Sequence, residues 1–212
     1  MKDIAGKVAV VTGGGGGIGR GMALAFATAG MRVVVADIDD EAAQKVCGEL
    51  LATGCDAAAC GTDVSDKSSV EALAETVYQR FGAAHLLCNN AGVTTFETLE
   101  KSSDADWEWV LGVNLRGVVH GLQAFLPRMK AQGGETHVVN TASAAGMQPY
   151  PLLGPYVATK YAVVGITETL RMEGESWGLS ASVLCPGNVA TDIVRSSRNR
   201  PARLGGSGGI IR

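Results

Sequence analysis

Val8-Ala-Val-Val-Thr12-Gly-Gly-Gly-Gly-Gly-Ile-Gly19 is an apolar, β-branched run that breaks into glycine and then gives way to a helical pattern. A strand ending in such a turn aims backbone N–H groups and a helix N-terminus at one spot. A pyrophosphate can sit there, and glycines let it come close. Five consecutive glycines satisfy several spacings at once: Gly13/Gly17/Gly19, Gly13/Gly16/Gly19 and Gly14/Gly16/Gly19. A plain strand-to-helix turn is the competing reading. The flanking strand and helix favour a phosphate loop, but the run alone does not choose among families of nucleotide binder.

Working outward, the next apolar run is Arg32–Ala36, and Asp37 ends it eighteen residues after Gly19. A carboxylate there can accept hydrogen bonds from the ribose hydroxyls of an adenosine, and it would repel a 2′-phosphate. No Lys or Arg lies beside it or within the glycine run. NAD is therefore expected rather than NADP, although Arg20 and Arg32 keep the second open.

Further runs at Ala57–Cys60, Leu86–Cys88, His137–Thr141 and Ala181–Leu184 alternate with helical patterns near 18–29, 40–53, 66–81, 103–131 and 156–177. In the third helix Val70, Leu73, Val77 and Phe81 recur three or four apart, on one face. The fourth opens with Ser103 three residues before Asp106, a capping-box variant. Such alternation predicts a doubly wound α/β domain, a parallel sheet covered on both faces in three layers.

The 212 residues hold 46% apolar and 18% charged side chains, enough for one core. A single domain over 1–192 is expected, with 193–212 as a flexible tail. That tail has five arginines and no acid, so a basic contact surface or a mobile lid is the sharper alternative. A net charge of −3 and 5% aromatics argue against a nucleic-acid partner. The opening MKDIAGKVAVVTGG lacks a leader pattern, and the charge-free run Val138–Thr159 holds three prolines, so no membrane segment is expected. The five cysteines (Cys47, Cys55, Cys60, Cys88, Cys185) form no C-x-x-C pair, which suits reduced thiols in the cytoplasm. His85, His120 and His137 lack ligand spacing, so no metal site is expected.

Tyr156 and Lys160 stand four apart, on one helical face. A phenol with a pKa near 10 is a poor acid or base at neutral pH, but a neighbouring ammonium and a cationic nicotinamide favour its phenolate. Ser143 follows the fifth strand, just past its C-terminal end, where open α/β folds place their sites. The Tyr/Lys spacing is weak evidence by itself. Joined to the glycine loop, the acid and the serine, it becomes specific.

With these features together, residues 5–192 resemble the short-chain dehydrogenase/reductase family, in its single-domain branch. The markers run in order: Thr12–Gly19, Asp63-Val64, Asn89-Asn-Ala-Gly92, Asn114, Ser143, Tyr156–Lys160 and Pro186-Gly187. The resemblance implies a Rossmann-like fold and selects Gly13, Gly17 and Gly19, with Ile18, as the cofactor loop. It implies that Tyr156 is the general acid/base, that Lys160 lowers its pKa and holds the nicotinamide ribose, and that Ser143 binds the reacting oxygen. Asn114 would support a proton relay to Lys160. Asp63 and Val64 would contact the adenine, Asn90, Ala91 and Gly92 would lie along the cofactor, and Pro186, Gly187 and Thr191 would flank the carboxamide.

The implied activity is hydride transfer between NAD(H) and a secondary alcohol or ketone. Thr94, Thr95, Phe96 and the loop Ala144–Leu153 carry no charge, so a hydrophobic substrate is expected. A non-catalytic NAD(P)-binding sensor of the same fold is the alternative, although it would not need Ser143, Tyr156 and Lys160. The resemblance also implies a homodimer or homotetramer, for which Trp107, Val110, Phe125 and Val163–Ile166 offer apolar surface. Relatives add a substrate-covering segment, a further helix and a seventh strand after the position of Thr191. Only 21 residues follow it here, so the lid and last strand are expected to be missing or incomplete.

Overall fold

Six parallel strands form one sheet: β1 (Val8–Thr12), β2 (Arg32–Asp37), β3 (Ala57–Gly61), β4 (Leu86–Asn89), β5 (Thr136–Thr141) and β6 (Leu179–Leu184), in the order β3-β2-β1-β4-β5-β6. The computed structural model describes Met1 and residues 3–205. Because successive side chains point to opposite faces, a strand covered on both sides must be apolar throughout, as Val8–Val11 is. Val8 and Val10 pack in one core with α3 (Lys67–Phe81) and α5 (Gly117–Gln132). Ala9 and Val11 face the other layer with Met22 and Phe26 of α1 (Gly17–Thr28), and α2 (Asp40–Ala52) covers β2 and β3 on that side through Val46 and Leu50.

Strand order reverses between β1 and β4, whose register pairs Val10 with Leu87. The chain leaves these two neighbours toward opposite sides, so a crevice opens at their carboxyl ends.

The helix expected over 103–131 is built differently. It divides into α4 (Asp104–Leu111), a π turn (Gly112–Arg116) and α5. The capping box on Ser103 and Asp106 starts α4 as expected, with the serine hydroxyl accepting from Asp106 N at 3.2 Å. The π turn holds the fully buried Asn114, whose amide is bound to a distant backbone. Pro127 sits inside α5 without ending it, at an exposed position. The last helix, α6 (Gly154–Gly174), starts two residues before Tyr156 and runs into a 3-10 turn at Glu175–Trp177.

The segment expected to be a flexible tail carries structure through Leu204, as 3-10 turns at Asp192–Asn199 and Ala202–Leu204. Ser196 is buried, and its hydroxyl accepts from Thr94 N at 3.0 Å and donates to Thr94 O at 3.2 Å. Arg200, with only 6% of its side chain exposed, binds Asp106 at 2.5 Å and lies over the Trp109 ring. Arg203 reaches Glu108. These contacts fold the segment back over α4. The remaining part of that expectation, 206–212, lies outside the described residues. Val110, Phe125 and Val163, expected to supply a subunit interface, are completely buried in this chain's own core. No described helix is long and apolar enough to cross a membrane.

Candidate active site

A cavity of about 700 Å³ lies over the carboxyl ends of the strands, at the β1/β4 reversal. Gly13, Gly17, Ile18, Asp37, Asp63, Val64, Asn90, Ala91, Gly92, Ser143, Tyr156, Lys160, Pro186, Gly187 and Thr191 all line it. Gly19 and Asn114 do not; both stand behind the wall.

The glycine run forms one end of the cavity. Gly13 and Gly17 adopt φ of +63° and +49°, a left-handed conformation that favours glycine. A Cβ on Gly19 would overlap the Gly13 carbonyl, so α1 can start this close to β1 only with glycine there. Gly14 and Gly15 are crowded too, against Val35 and against Ala42 and Asp37. Gly16, the N-cap of α1, has open space and no side-chain cap, and the first turn of α1 holds no acid. The N–H groups of α1 are thus left for an anion. In contrast, Asp39, Asp66 and Ser103 cap α2, α3 and α4 with their own oxygens.

Asn90 fastens this loop to the sheet. Its Nδ2 donates to Thr12 O at 3.0 Å, while Thr141 Oγ1 donates to its Oδ1 at 3.2 Å. Thr12 Oγ1 accepts from the Asn90 and Ala91 N–H groups. The Asp37 carboxylate is set by two N–H donors, Gly15 at 2.9 Å and Asp39 at 3.0 Å. The two nearest arginines are engaged elsewhere, Arg20 with Glu49 and Arg32 with Gly6 O. The Asp63 carboxylate accepts from Ser65 N at 2.9 Å, and the Val64 side chain packs on Gly117.

At the other end, Ser143 leaves β5 with its Oγ accepting from Ala145 N, while Ala144 N donates to Pro186 O, joining the loops after β5 and β6. Tyr156 and Lys160 lie one turn apart on α6, with Lys160 Nζ 5.4 Å from the Tyr156 ring centre. Burial pushes the Tyr156 phenol above its ordinary value, and hydrogen bonding with the Ser143 hydroxyl pulls it back. Burial pushes the Lys160 ammonium down to about 8, its one hydrogen bond going to Thr141 O at 2.8 Å. The protein alone therefore keeps Tyr156 protonated at neutral pH. Asn114 is fixed by three bonds: its Oδ1 accepts from Val93 N at 2.8 Å, and its Nδ2 donates to Val93 O at 2.9 Å and to Thr159 Oγ1 at 3.2 Å.

Between these ends the walls are largely apolar. Phe96, Tyr150 and Leu153 come from the segments expected to line the substrate side; Trp109, Val113, Ile193 and Val194 were not foreseen. Thr95 is buried but turned away from the cavity. The 3-10 segment also contributes two charged residues, Asp192 and Arg198, and the Arg198 guanidinium is bonded back to the Asp192 and Arg195 carbonyls. Arg198 belongs to the stretch 193–212 expected as a tail, and Asp192 is the last residue of the expected domain. Among the described residues, no cluster of three or more His, Cys, Asp or Glu is placed to hold a metal ion.

The family model described as short chain dehydrogenase matches residues 7–202. A C alpha-dehydrogenase of Sphingobium sp. strain SYK-6 is 41% identical over 209 residues, covering 98% of this chain and 68% of that protein. A cyclohexanol dehydrogenase of Acinetobacter sp. strain SE19 is 38% identical over 189 residues, covering 89% of this chain and 75% of that one. Among solved structures, a short chain dehydrogenase/reductase from Burkholderia phymatum in complex with NAD is 43% identical, with a TM-score of 0.96 over 99% of this chain and 75% of that chain. The fold, the cavity at the strand reversal and these likenesses agree, and the chain belongs to the short-chain dehydrogenase family of oxidoreductases.

Proposed function

We propose that this protein transfers a hydride between NAD(H) and an uncharged, largely apolar secondary alcohol or ketone, with Tyr156 as general acid/base. One observation carries the reading: Ser143, Tyr156 and Lys160 line the same cavity as the glycine loop and Asp37. The residues fit the cofactor because α1 begins without a side-chain cap and the loop is too tight for Cβ atoms at Gly13 and Gly19. Bound NAD supplies the hydride acceptor and a positive nicotinamide ring.

In alcohol oxidation Tyr156 Oη takes the substrate hydroxyl proton, and in ketone reduction it returns one. Ser143 Oγ holds the reacting oxygen, and Lys160 Nζ favours the phenolate and orients the ribose. Asn114, fixed to Val93 and Thr159, supports proton movement toward Lys160 from behind the wall. Asp63 and Val64 would border the adenine, Asn90 to Gly92 would lie along the cofactor, and Pro186, Gly187 and Thr191 would flank the carboxamide.

NAD rather than NADP fits the charge at Asp37, since Arg20 and Arg32 already have partners. Phe96, Trp109, Leu153 and Val194 suit an apolar substrate. Tyr161 and Met172, exposed on α6, support a homo-oligomer, and five free cysteines suit a reducing compartment.

The test is a panel of neutral and charged alcohols, followed by nicotinamide absorbance, with Tyr156→Phe as control. The variant should still bind NADH, seen by fluorescence, and lose about 100-fold or more in turnover. NADH binding without turnover of any alcohol, in both forms, would leave a sensor instead.

A further inference from the structure

Asn114 and the Tyr156–Lys160 turn lie on different elements, and one buried hydroxyl joins them. Thr159 is completely buried on α6, between the two reactive side chains in sequence. Its Oγ1 donates to the Tyr156 carbonyl at 2.7 Å, which uses its only proton. It is therefore an acceptor toward Asn114 Nδ2, at 3.2 Å. The rest of the Asn114 amide clasps both backbone groups of Val93. Just before Val93, Gly92 lies beside both groups: a Cβ there would meet Asn114 Oδ1 and Lys160 Nζ at 3.6 Å, in ordinary contact. Thr159, Asn114 and Val93 thus form a chain of hydrogen bonds that runs from the Tyr156–Lys160 turn to the segment beside Lys160. Thr159 does not line the cavity, so it touches neither substrate nor cofactor.

We propose that Thr159 is a positioning residue of this site, setting the Tyr156–Lys160 turn against the Asn114–Val93 clasp. The inference rests on reading Tyr156 and Lys160 as the acid/base pair. Without the hydroxyl, one Asn114 N–H loses its partner in a dry interior. Rotating the amide to relieve this breaks the clasp on Val93 and loosens the 90–93 segment behind Lys160. Valine has the shape of threonine and lacks the hydroxyl; serine keeps the hydroxyl and lacks the methyl.

The test compares Thr159→Val, Thr159→Ser, Thr159→Ala and Tyr156→Phe with the wild type. It measures the pH dependence of kcat for alcohol oxidation, NADH affinity by fluorescence, and thermal melting. Cys185, the other titratable group beside Lys160, is unchanged throughout. Thr159→Val should bind NADH nearly as well as the wild type, lose about tenfold or more in kcat, and show a displaced pH profile. Thr159→Ser should keep both the rate and the profile. A simple packing role would lower the melting temperature and leave the profile in place. Wild-type kcat and profile in Thr159→Val would overturn the proposal, as would a serine variant as impaired as the valine one. If the valine variant does not fold, alanine against serine gives the same contrast. A fully active Tyr156→Phe would remove the acid/base reading itself, whereas an inactive Tyr156→Phe beside an unaffected Thr159→Val would remove only the role of Thr159.

Discussion

Lys160→Met should make the cofactor-free protein more stable at neutral pH while ending its activity. Lys160 is buried, with one hydrogen bond, and burial lowers its ammonium from the ordinary 10.5 to about 8. At about 1.4 kcal/mol per pH unit, that drop corresponds to about 3 kcal/mol against the folded state. The sign follows from proton counting. Between about 8 and 10.5 the unfolded chain binds the proton that the folded protein has released, so stability rises with pH across that window. Below about 8 the penalty is fully present, and above 10.5 it is gone. Methionine keeps most of the length and removes the charge, but leaves the Thr141 carbonyl without its donor, a loss of about 1 kcal/mol. The variant should therefore gain about 2 kcal/mol at pH 7, and its advantage should vanish or reverse by pH 10.5. In a chain of this size that is a rise of about 4–8 °C in melting temperature. Urea unfolding of both proteins, without cofactor, at pH 7 and at pH 10 measures it. A variant less stable at pH 7, or one with the same advantage at both pH values, would refute the reasoning.

Other perturbations probe the rest of the site. Asp37→Ser removes the proposed ribose acceptor and should weaken NAD binding by about 10- to 100-fold while narrowing the preference over NADP, read from cofactor titrations. Gly19→Ala drives a methyl into the Gly13 carbonyl; it should cost about 1–3 kcal/mol and abolish NADH binding, seen by melting and by fluorescence. Arg200→Met leaves the partly buried Asp106 carboxylate unpaired, so it should free the 3-10 segment, speed its proteolysis and raise the alcohol KM with NADH affinity unchanged. Burial pushes the Asp106 carboxyl up, but hydrogen bonds from Ser103 and the Arg200 guanidinium outweigh it and hold it below 3.8. That stabilisation should be complete above the ordinary carboxylate range and lost as pH falls through the lower folded value, so proteolysis in the 3-10 segment should quicken only in acid.

Strand identities and their parallel order were readable in advance because each signal is local: a β-branched run, a glycine turn, a capping acid. Asn114 shows where such reading ends. The period over 103–131 is continuous, and the π turn depends on bonds to Val93 and Thr159, 21 and 45 residues away in sequence. Ser196 is a plain polar residue until it meets Thr94 across 102 residues, and that pairing turns a presumed tail into a cavity wall. The chemistry of Tyr156 was only partly legible. Spacing placed the ammonium near the phenol, but burial, which raises one group and lowers the other, depends on the surrounding fold.

The most direct test of hydride transfer at this cavity follows the hydrogen itself. The protein is given NAD and a secondary alcohol deuterated at the carbinol carbon, and the recovered NADH is analysed by mass spectrometry and NMR. The account predicts one deuterium per NADH, on a single face of the nicotinamide ring, and almost none formed by Tyr156→Phe. NADH without deuterium, or equal labelling by the variant, would contradict it.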